Sequence, residues 1–453
     1  MVSTDSPPEL TPGGDDQEKE GLTASELLAA WSVLAHPDRL RGFELLPRPE
    51  AEDVFLALTT RDQAELVLSL PPAQRRSWVR LLPPDDAADL IQVAPEEERY
   101  GLLALLDDAT RLQVSGLLAY AADDAGGLMN PHYARLRPDM TVTEAIAYLR
   151  RYAGGHRDAT YYAYVLDEQQ HLLGTVSFRE LFAAPPDQAI AHIMRSDVVS
   201  VTEDQDQEAV SRVFAQHHFL ALPVLDADGR MKGVVTIDDI VDVVQEEATE
   251  DIQKIGGTEA LDAPYLATAF TSMVRKRGMW LSALFIGEML TATAMGHFED
   301  EIARAVVLAL FVPLIISSGG NSGSQASTLV IRAMALGEVV LSDWWRVVLR
   351  ELASGLTLGG MLASIGLVRI LVWQGLLGTY GEHAGLIALT VGLSLIGVVT
   401  FGTLAGSMLP FLLRRIGFDP ASASAPFVAT LVDVTGLVIY FTVASVVLRG
   451  SLL

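Results

Sequence analysis

The chain of 453 residues contains no cysteine. Disulfides, thiolate zinc sites and cysteine nucleophiles are therefore excluded. Basic residues are scarce in its first part, where residues 1–270 hold 21 Lys and Arg against 47 Asp and Glu, a balance of −26. Residues 271–453 hold 11 against 10, a balance of +1, which restores the total of −25. Phosphate repels so acidic a surface, which argues against nucleic acid as a partner. The start of the chain also lacks an apolar core, so no signal peptide is expected. Residues 1–24 read as a disordered acidic tail, and the first part is expected to stay in the cytoplasm. No His-Glu-x-x-His and no Walker A Lys-Ser/Thr pair is present, which removes the commonest metalloprotease and nucleotide-hydrolase readings. Clustered carboxylates favour hard divalent cations with oxygen ligands instead.

What the second part has in abundance is apolar length. Five runs exceed the ~20 residues that a spanning helix needs: Gly278–Phe298, Ala305–Ile331, Leu352–Tyr380, Ala384–Leu413 and Pro420–Leu448. Basic residues set their orientation. Arg275, Lys276 and Arg277 precede the first run, Arg332, Arg346 and Arg350 separate the second from the third, and Arg414 and Arg415 follow the fourth. The opposite loops are poor in Lys and Arg. The positive-inside rule then puts the soluble part in the cytoplasm and the C-terminus outside a cytoplasmic (inner) membrane. An odd number of spans agrees with that.

The soluble part divides further. Residues 25–125 read as short amphipathic helices punctuated by Leu70-Pro-Pro, Leu82-Pro-Pro-Asp-Asp and Ala94-Pro-Glu-Glu-Glu, which suggests an α-solenoid. Residues 126–245 contain an internal repeat: Val165-Leu-Asp-Glu-Gln-Gln-His-Leu-Leu-Gly-Thr-Val-Ser recurs 59 positions later as Val224-Leu-Asp-Ala-Asp-Gly-Arg-Met-Lys-Gly-Val-Val-Thr. Each copy is an apolar strand, a turn, a second strand and a helix start. This duplicated β-turn-β-α unit resembles a tandem CBS pair, an α/β fold. Residues 246–270 form a connecting helix into the 271–453 membrane domain. Its Glu246, Glu247, Glu250 and Asp251 gather carboxylates on one side, an arrangement that like-charge repulsion disfavours unless a cation answers it.

Asp433 is the only charge in the run Pro420–Leu448. A carboxylate at membrane depth costs about 2.5–3.5 kcal/mol on insertion scales. With a helix starting near Pro426, Asp433 lies roughly 10 Å inside that end at ~1.5 Å per residue. A neutral, packed carboxyl is the plain alternative; a cation site on a transport path is the reading adopted. Within the second run, Pro313-Leu-Ile-Ile-Ser-Ser-Gly-Gly-Asn-Ser-Gly-Ser-Gln-Ala-Ser-Thr is rich in small residues. Helix packing explains the Gly and Ser but leaves the amides Asn321 and Gln325 unexplained. Polar groups at this depth can line a hydrated cavity. Glu288, in the first run, is read as pairing with a neighbouring helix.

Ser318-Gly-Gly-Asn-Ser-Gly-Ser-Gln, Met408-Leu-Pro-Phe-Leu-Leu-Arg-Arg and Pro426-Phe-Val-Ala-Thr-Leu-Val-Asp-Val-Thr-Gly resemble the MgtE magnesium channels and transporters. Ala125-Gly-Gly-Leu-Met and Glu247-Ala-Thr-Glu-Asp-Ile agree with this, and the likeness runs from about residue 25 to the end. It implies a multidomain chain, with a cytoplasmic α-solenoid N domain, a CBS pair, a connecting helix and a five-helix transmembrane domain, assembled as a homodimer in the lipid bilayer. It further implies a pore between the second and fifth spans, with Asp433 as carboxylate, the Ala429 carbonyl nearby, and Asn321, Ser324, Gln325, Thr328 and Ala425 lining it. By the resemblance, Ser324 and Ala425 stand where asparagines are expected from a characterised family member. Mg2+ is then both substrate and regulator, closing the pore through Asp53, Asp85, Asp89, Asp206, Glu208, Asp239, Asp242, Glu247, Glu250 and Asp251. His218 replaces an acid expected in that set. Tyr162, Arg179, Phe219, Thr236 and Asp239 match nucleotide contacts for ATP, although Glu180 takes the place of Asp in one ribose-binding turn.

Three rivals differ in class or substrate. A broader carrier of cobalt, manganese or zinc is disfavoured by the absence of Cys and the preponderance of carboxylates. An intramembrane protease would need a second membrane aspartate or a Gly-x-Gly-Asp setting around Asp433. A nucleotide sensor that transports nothing would have no use for Asp433.

Overall fold

The computed structural model describes residues 23–153, 162–261, 263–266, 268–449 and 451, so that most of the expected acidic tail lies outside the described residues. The described residues fall into two compact units that divide between Val243 and Val244.

Among the described residues, the first unit opens with eight short helices: α1 (Ala24–Ala30), α2 (His36–Leu45), α3 (Arg48–Ala57), α4 (Thr60–Ser69), α5 (Pro72–Val79), α6 (Pro84–Val93), α7 (Glu96–Leu103) and α8 (Asp108–Leu117). Proline explains their spacing. Leu70 is extended, as a residue before proline prefers, and Pro71 caps α5 while Pro72 opens it, where the missing N–H costs nothing. Pro83 and Pro84 do the same for α6. Thr23 starts α1 through a capping box with Glu26. Phe43, Phe55 and Trp78 meet at the centre, with ring centroids 4.9 and 5.2 Å from Trp78. The Arg48 guanidinium lies 3.7 Å over the Trp78 ring.

The duplicated segment follows: α9 (Ala125–Leu128), β1 (Ala134–Leu136), α10 (Val142–Ala153), β2 (Tyr162–Leu166), β3 (Leu172–Ser177), α11 (Phe178–Ala183), then β4 (Val201–Thr202), α12 (Gln207–His217), β5 (Ala221–Leu225) and β6 (Met231–Thr236). Among the described residues, each copy has a three-stranded sheet whose first pair is parallel and whose second is antiparallel. The ladders even slip at matching places, between Val165 and Leu166 and between Val224 and Leu225, 59 positions on. The repeat seen in the sequence is thus a repeat of structure. One continuous core joins the helices α1–α8 to the second copy through Val201, Val210, Phe214, Leu222, Val235 and Ile240.

α13 (Ile237–Ile255) runs through the boundary between the units. The second unit then holds α14 (Phe270–His297), α15 (Glu299–Arg304), α16 (Val312–Ala335), α17 (Trp344–Leu377), α18 (Ala384–Arg415) and α19 (Ala425–Val447). Five helical segments among the described residues are long and apolar enough to cross a membrane: Phe270–His297, Val306–Ala335, Leu341–Leu377, Gly381–Arg415 and Ala425–Val447. α16, α18 and α19 pack against one another around Ile315, Val391, Leu395, Val398, Val428 and Val432. Small residues permit that approach. A Cβ on Gly402 would collide with the Gly319 carbonyl oxygen, and one on Gly406 with that of Gly323.

Candidate functional site

α16 and α19 run side by side with a readable register. Ser327 Oγ donates to Ala423 O at 2.7 Å, and Ser324 Oγ to Ala425 O at 3.1 Å. Further along, a Cβ on Gly320 would stand 3.6 Å from Ala429, one on Gly319 2.8 Å from Val432 Cγ1, and one on Gly436 3.1 Å from Ile316 Cδ1. Asp433 therefore lies beside the Ile316–Gly320 stretch of α16. Ala425, Ala429 and Asp433 share one stripe of α19 at i, i+4, i+8 spacing, and all three are half-buried.

The facing helix carries a polar stripe. Asn321, Gln325 and Thr328 are exposed and Ser324 is half-buried, at i, i+4, i+7 and i+3. Ser317, one turn before Asn321, extends the stripe and accepts a hydrogen bond from Asn321 Nδ2 at 3.5 Å. Ser317 was not singled out from the sequence, although its i−4 spacing from Asn321 could have shown it. The hydroxyls of Ser318 and Thr328 turn back to the carbonyls of Leu314 and Ser324 at 2.7 and 2.9 Å. A membrane helix whose uncovered face bears amides and hydroxyls needs water, an ion or another chain against it. Beside α19, Gly287 of α14 approaches Thr430, which puts Glu288 on the helix that packs against the Asp433 helix.

A second constellation sits in the first unit. Asp85 and Asp86 open α6 and Asp239 opens α13, and carboxylate oxygens of all three lie within 4.8 Å of one another. Asp85 is buried, and the other two are half-buried. Thr236 Oγ1 donates to Asp239 Oδ2 at 2.7 Å. Burial raises the Asp239 pKa to about 7, with the charges of Asp238 and Asp86 adding to the rise and the Thr236 hydrogen bonds opposing it. Three converging carboxylates suit a hard cation with oxygen ligands. Asp86 was absent from the sequence-derived set. Its only signal was adjacency to Asp85 in the first turn of a helix.

The other expected regulatory acids are spread more widely. Asp89 lies one turn beyond Asp85 on α6 and is half-buried, whereas Asp53 on α3 and Asp242 on α13 are exposed. Asp206 caps α12 by accepting from Glu208 N, and Glu208 pairs with Arg212 at 3.1 Å. His218 ends the same helix in a left-handed conformation, φ 54°. On α13, Glu247 and Asp251 are half-buried, and Glu250 pairs with Lys254. Lys254 Nζ also reaches Asp419 Oδ2 at 2.6 Å, in the turn before α19. Asp419 in turn accepts from Ala421 N at 2.8 Å.

A cavity of about 400 Å³ opens between the two CBS copies, and Tyr162, Arg179 and Phe219 all line it. Glu180 lines it too, reinforced by Ser177 in a capping box and by Arg195 Nε at 2.6 Å. Thr236 and Asp239 are not among the lining residues. They form the equivalent turn of the second copy, and Asp239 is drawn into the acid cluster instead.

Comparison with known proteins gives concordant matches. The family described as "Divalent cation transporter" (MgtE) matches residues 312–443, "MgtE intracellular N domain" matches 22–123, and "CBS domain" matches 125–187 and 190–246. The protein named magnesium transporter MgtE of Thermus thermophilus is 44% identical over 346 residues, 76% of this chain and 75% of its own. Its namesake from Enterococcus faecalis is 33% identical over 337 residues, 74% and 72% of the two chains. A crystal structure of the cytosolic domain of the Mg2+ channel MgtE in complex with ATP is 41% identical, covering 49% of this chain and 91% of that one with a TM-score of 0.46.

Proposed function

The chain belongs to the MgtE family of divalent cation transporters, and on that premise we propose that it moves magnesium through a path between α16 and α19. The observation that carries this reading is the uncovered polar stripe of α16, Asn321, Ser324, Gln325 and Thr328, beside the Asp433 stripe of α19. In a homodimer, two such faces meet around one hydrated path, and Asp433 is contributed twice. Two carboxylates balance the charge of one divalent ion. Magnesium dehydrates reluctantly, so both hold it through its water shell, and the Ala429 carbonyl adds an acceptor nearby. Selectivity then comes from the path's fit to a hydrated ion. Transport, not bond chemistry, is what this arrangement serves.

Arginine placement supports a cytoplasmic position for the soluble unit and an external C-terminus in the cytoplasmic membrane. Regulation follows from the acid cluster. Cytoplasmic magnesium held by Asp85, Asp86 and Asp239, with Asp89 one turn away, favours the compact arrangement of the helices α1–α8 on the second CBS copy. Without the ion the carboxylates repel. Asp53, Asp206, Glu208, Asp242, Glu247, Glu250 and Asp251 supply further negative charge for ions between subunits, and α13 carries the difference towards the membrane. Ion binding that differs between two arrangements is what shifts their populations. The cavity lined by Tyr162, Arg179 and Phe219 is proposed to take ATP, with Glu180 in the ribose-facing turn and Thr236 left out of the contact set.

Asp433→Ala tests the path. It is expected to abolish rescue of a magnesium-requiring strain while the purified protein keeps its elution volume and helix content. Normal rescue would remove Asp433 from the path. Uptake of cobalt or manganese by the unsubstituted protein at rates equal to magnesium would favour the broader carrier.

A further inference from the structure

We propose that the cavity between the start of α17 and the end of α18 binds one anionic phospholipid. It measures about 530 Å³, within the roughly 300–1,000 Å³ typical of small-ligand pockets. Leu341, Trp344, Met408, Phe411 and Leu412 supply mainly apolar walls, and Ser342 and Arg415 are the polar residues among the lining. Apolar walls take an acyl chain; a free phosphate would make no use of them.

Charge identifies the headgroup. Arg415 is the last residue of α18, is exposed, and has no ion pair among the described residues. Arg346, in the first turn of α17, is by contrast held by Asp343 at 3.1 Å. Arg415 is thus the cation that the protein leaves to a ligand at this mouth. A guanidinium meets a phosphate through two parallel hydrogen bonds. Phosphatidylcholine would bring its fixed ammonium towards that arginine, whereas phosphatidylglycerol brings only hydroxyls. The position suits a lipid as well. Both helices end here, and Trp344 and Trp345 meet edge to face at 5.5 Å, aromatic rings of the kind that settle at the membrane interface. The site rests on the membrane reading of this unit, and on neither magnesium transport nor the direction of the chain.

Native mass spectrometry of the full chain, released from micelles titrated with phosphatidylglycerol or phosphatidylcholine of identical acyl chains, tests the proposal. One phosphatidylglycerol per protomer is expected, with about fivefold preference over phosphatidylcholine, the factor one surface cation provides. Arg415→Gln should bring the two lipids to parity, and Arg346→Gln should leave the preference intact. Equal retention of both lipids by the unsubstituted protein, or an unchanged preference in Arg415→Gln, would overturn it. Displacement of the lipid by millimolar inorganic phosphate would also overturn it and indicate a simple anion site. Loss of dimer in Arg415→Gln, with no change in lipid retention, would assign the cavity to a second copy of the chain and likewise overturn it. Because micelles have no sidedness, failure here is separable from an error in orientation, and the Asp433→Ala uptake assay reports on transport independently.

Discussion

At the scale of single residues, Asp239 is where charge and burial conflict most plainly. Its pKa is raised to about 7 from the ordinary 3.8, chiefly by burial. Between about pH 4 and 7 the folded state holds a proton that the unfolded state has lost, so stability falls as pH rises through that window. In EDTA, the melting temperature of the soluble region should therefore decline from pH 5 to pH 8. Magnesium should remove most of that decline, because a bound cation stabilises the ionised cluster. Asp239→Asn should flatten the EDTA profile and reduce the rise in melting temperature on adding magnesium. A steep decline that persists in Asp239→Asn would place its origin elsewhere. Asp86 is instructive beside it. The chain offers Asp85 and Asp86 as equals, and only the approach of α13 brings both of their oxygens to Asp239.

At the scale of elements, two contacts within the second unit fix helices against their neighbours. The first is the packing of α16 on α18 at Gly319–Gly402 and Gly323–Gly406, where the smallest side chain is required. Gly402→Ala would force its methyl against a backbone carbonyl that cannot rotate away. A loss of about 1–3 kcal/mol is expected, the usual cost of overpacking, read as a lower thermal midpoint of the detergent-solubilised protein. Gly360→Ala, at a glycine with open space around it, should be neutral in the same assay. The second contact joins the end of α13 to the turn before α19. Lys254 holds Asp419 at 2.6 Å, and both side chains are partly buried. Under the proposed regulation, this ion pair is the route by which α13 acts on the Asp433 helix. Asp419→Asn and Lys254→Met should each raise the cytoplasmic magnesium needed for half-inhibition by about fivefold, the lower end of typical coupling energies. The double substitution should be no worse than either alone. Patch recordings with internal magnesium stepped from micromolar to millimolar would show this, and additive shifts would mean that the residues act separately.

At the scale of the whole molecule, charge is the organising quantity. Residues 1–270 carry a balance of −26, while the remainder is nearly neutral at +1. A region so charged repels itself, and divalent ions relieve that repulsion better than sodium at equal ionic strength if they bind at sites. Small-angle scattering of residues 1–270 should show a smaller radius of gyration in millimolar magnesium than in matched sodium. An equal response to both salts would indicate screening alone and count against bound regulatory ions.

The architecture was legible in the chain because its signals are local. Five apolar runs are long enough to cross a bilayer on their own account, and each appears as a helix. Proline at a first turn ends one short helix and starts the next whatever its neighbours do, as at Pro71-Pro72 and Pro83-Pro84. The 59-residue repeat reproduces itself down to its ladder slip, because identical strand-turn-strand patterns fold by identical hydrogen bonding. Asp433 stood out by itself, since a lone carboxylate in an apolar run needs no partner to be conspicuous. What tertiary structure alone decided was which separated residues meet. Asp86 joins Asp85 and Asp239, Lys254 finds Asp419 across 165 positions, and Tyr162, Arg179 and Phe219 surround one cavity while Thr236 stays outside it. Helical periodicity says which face a side chain takes; it does not say which helix will lie against that face. That choice is made by burial summed over the whole core, a quantity no short stretch of sequence contains.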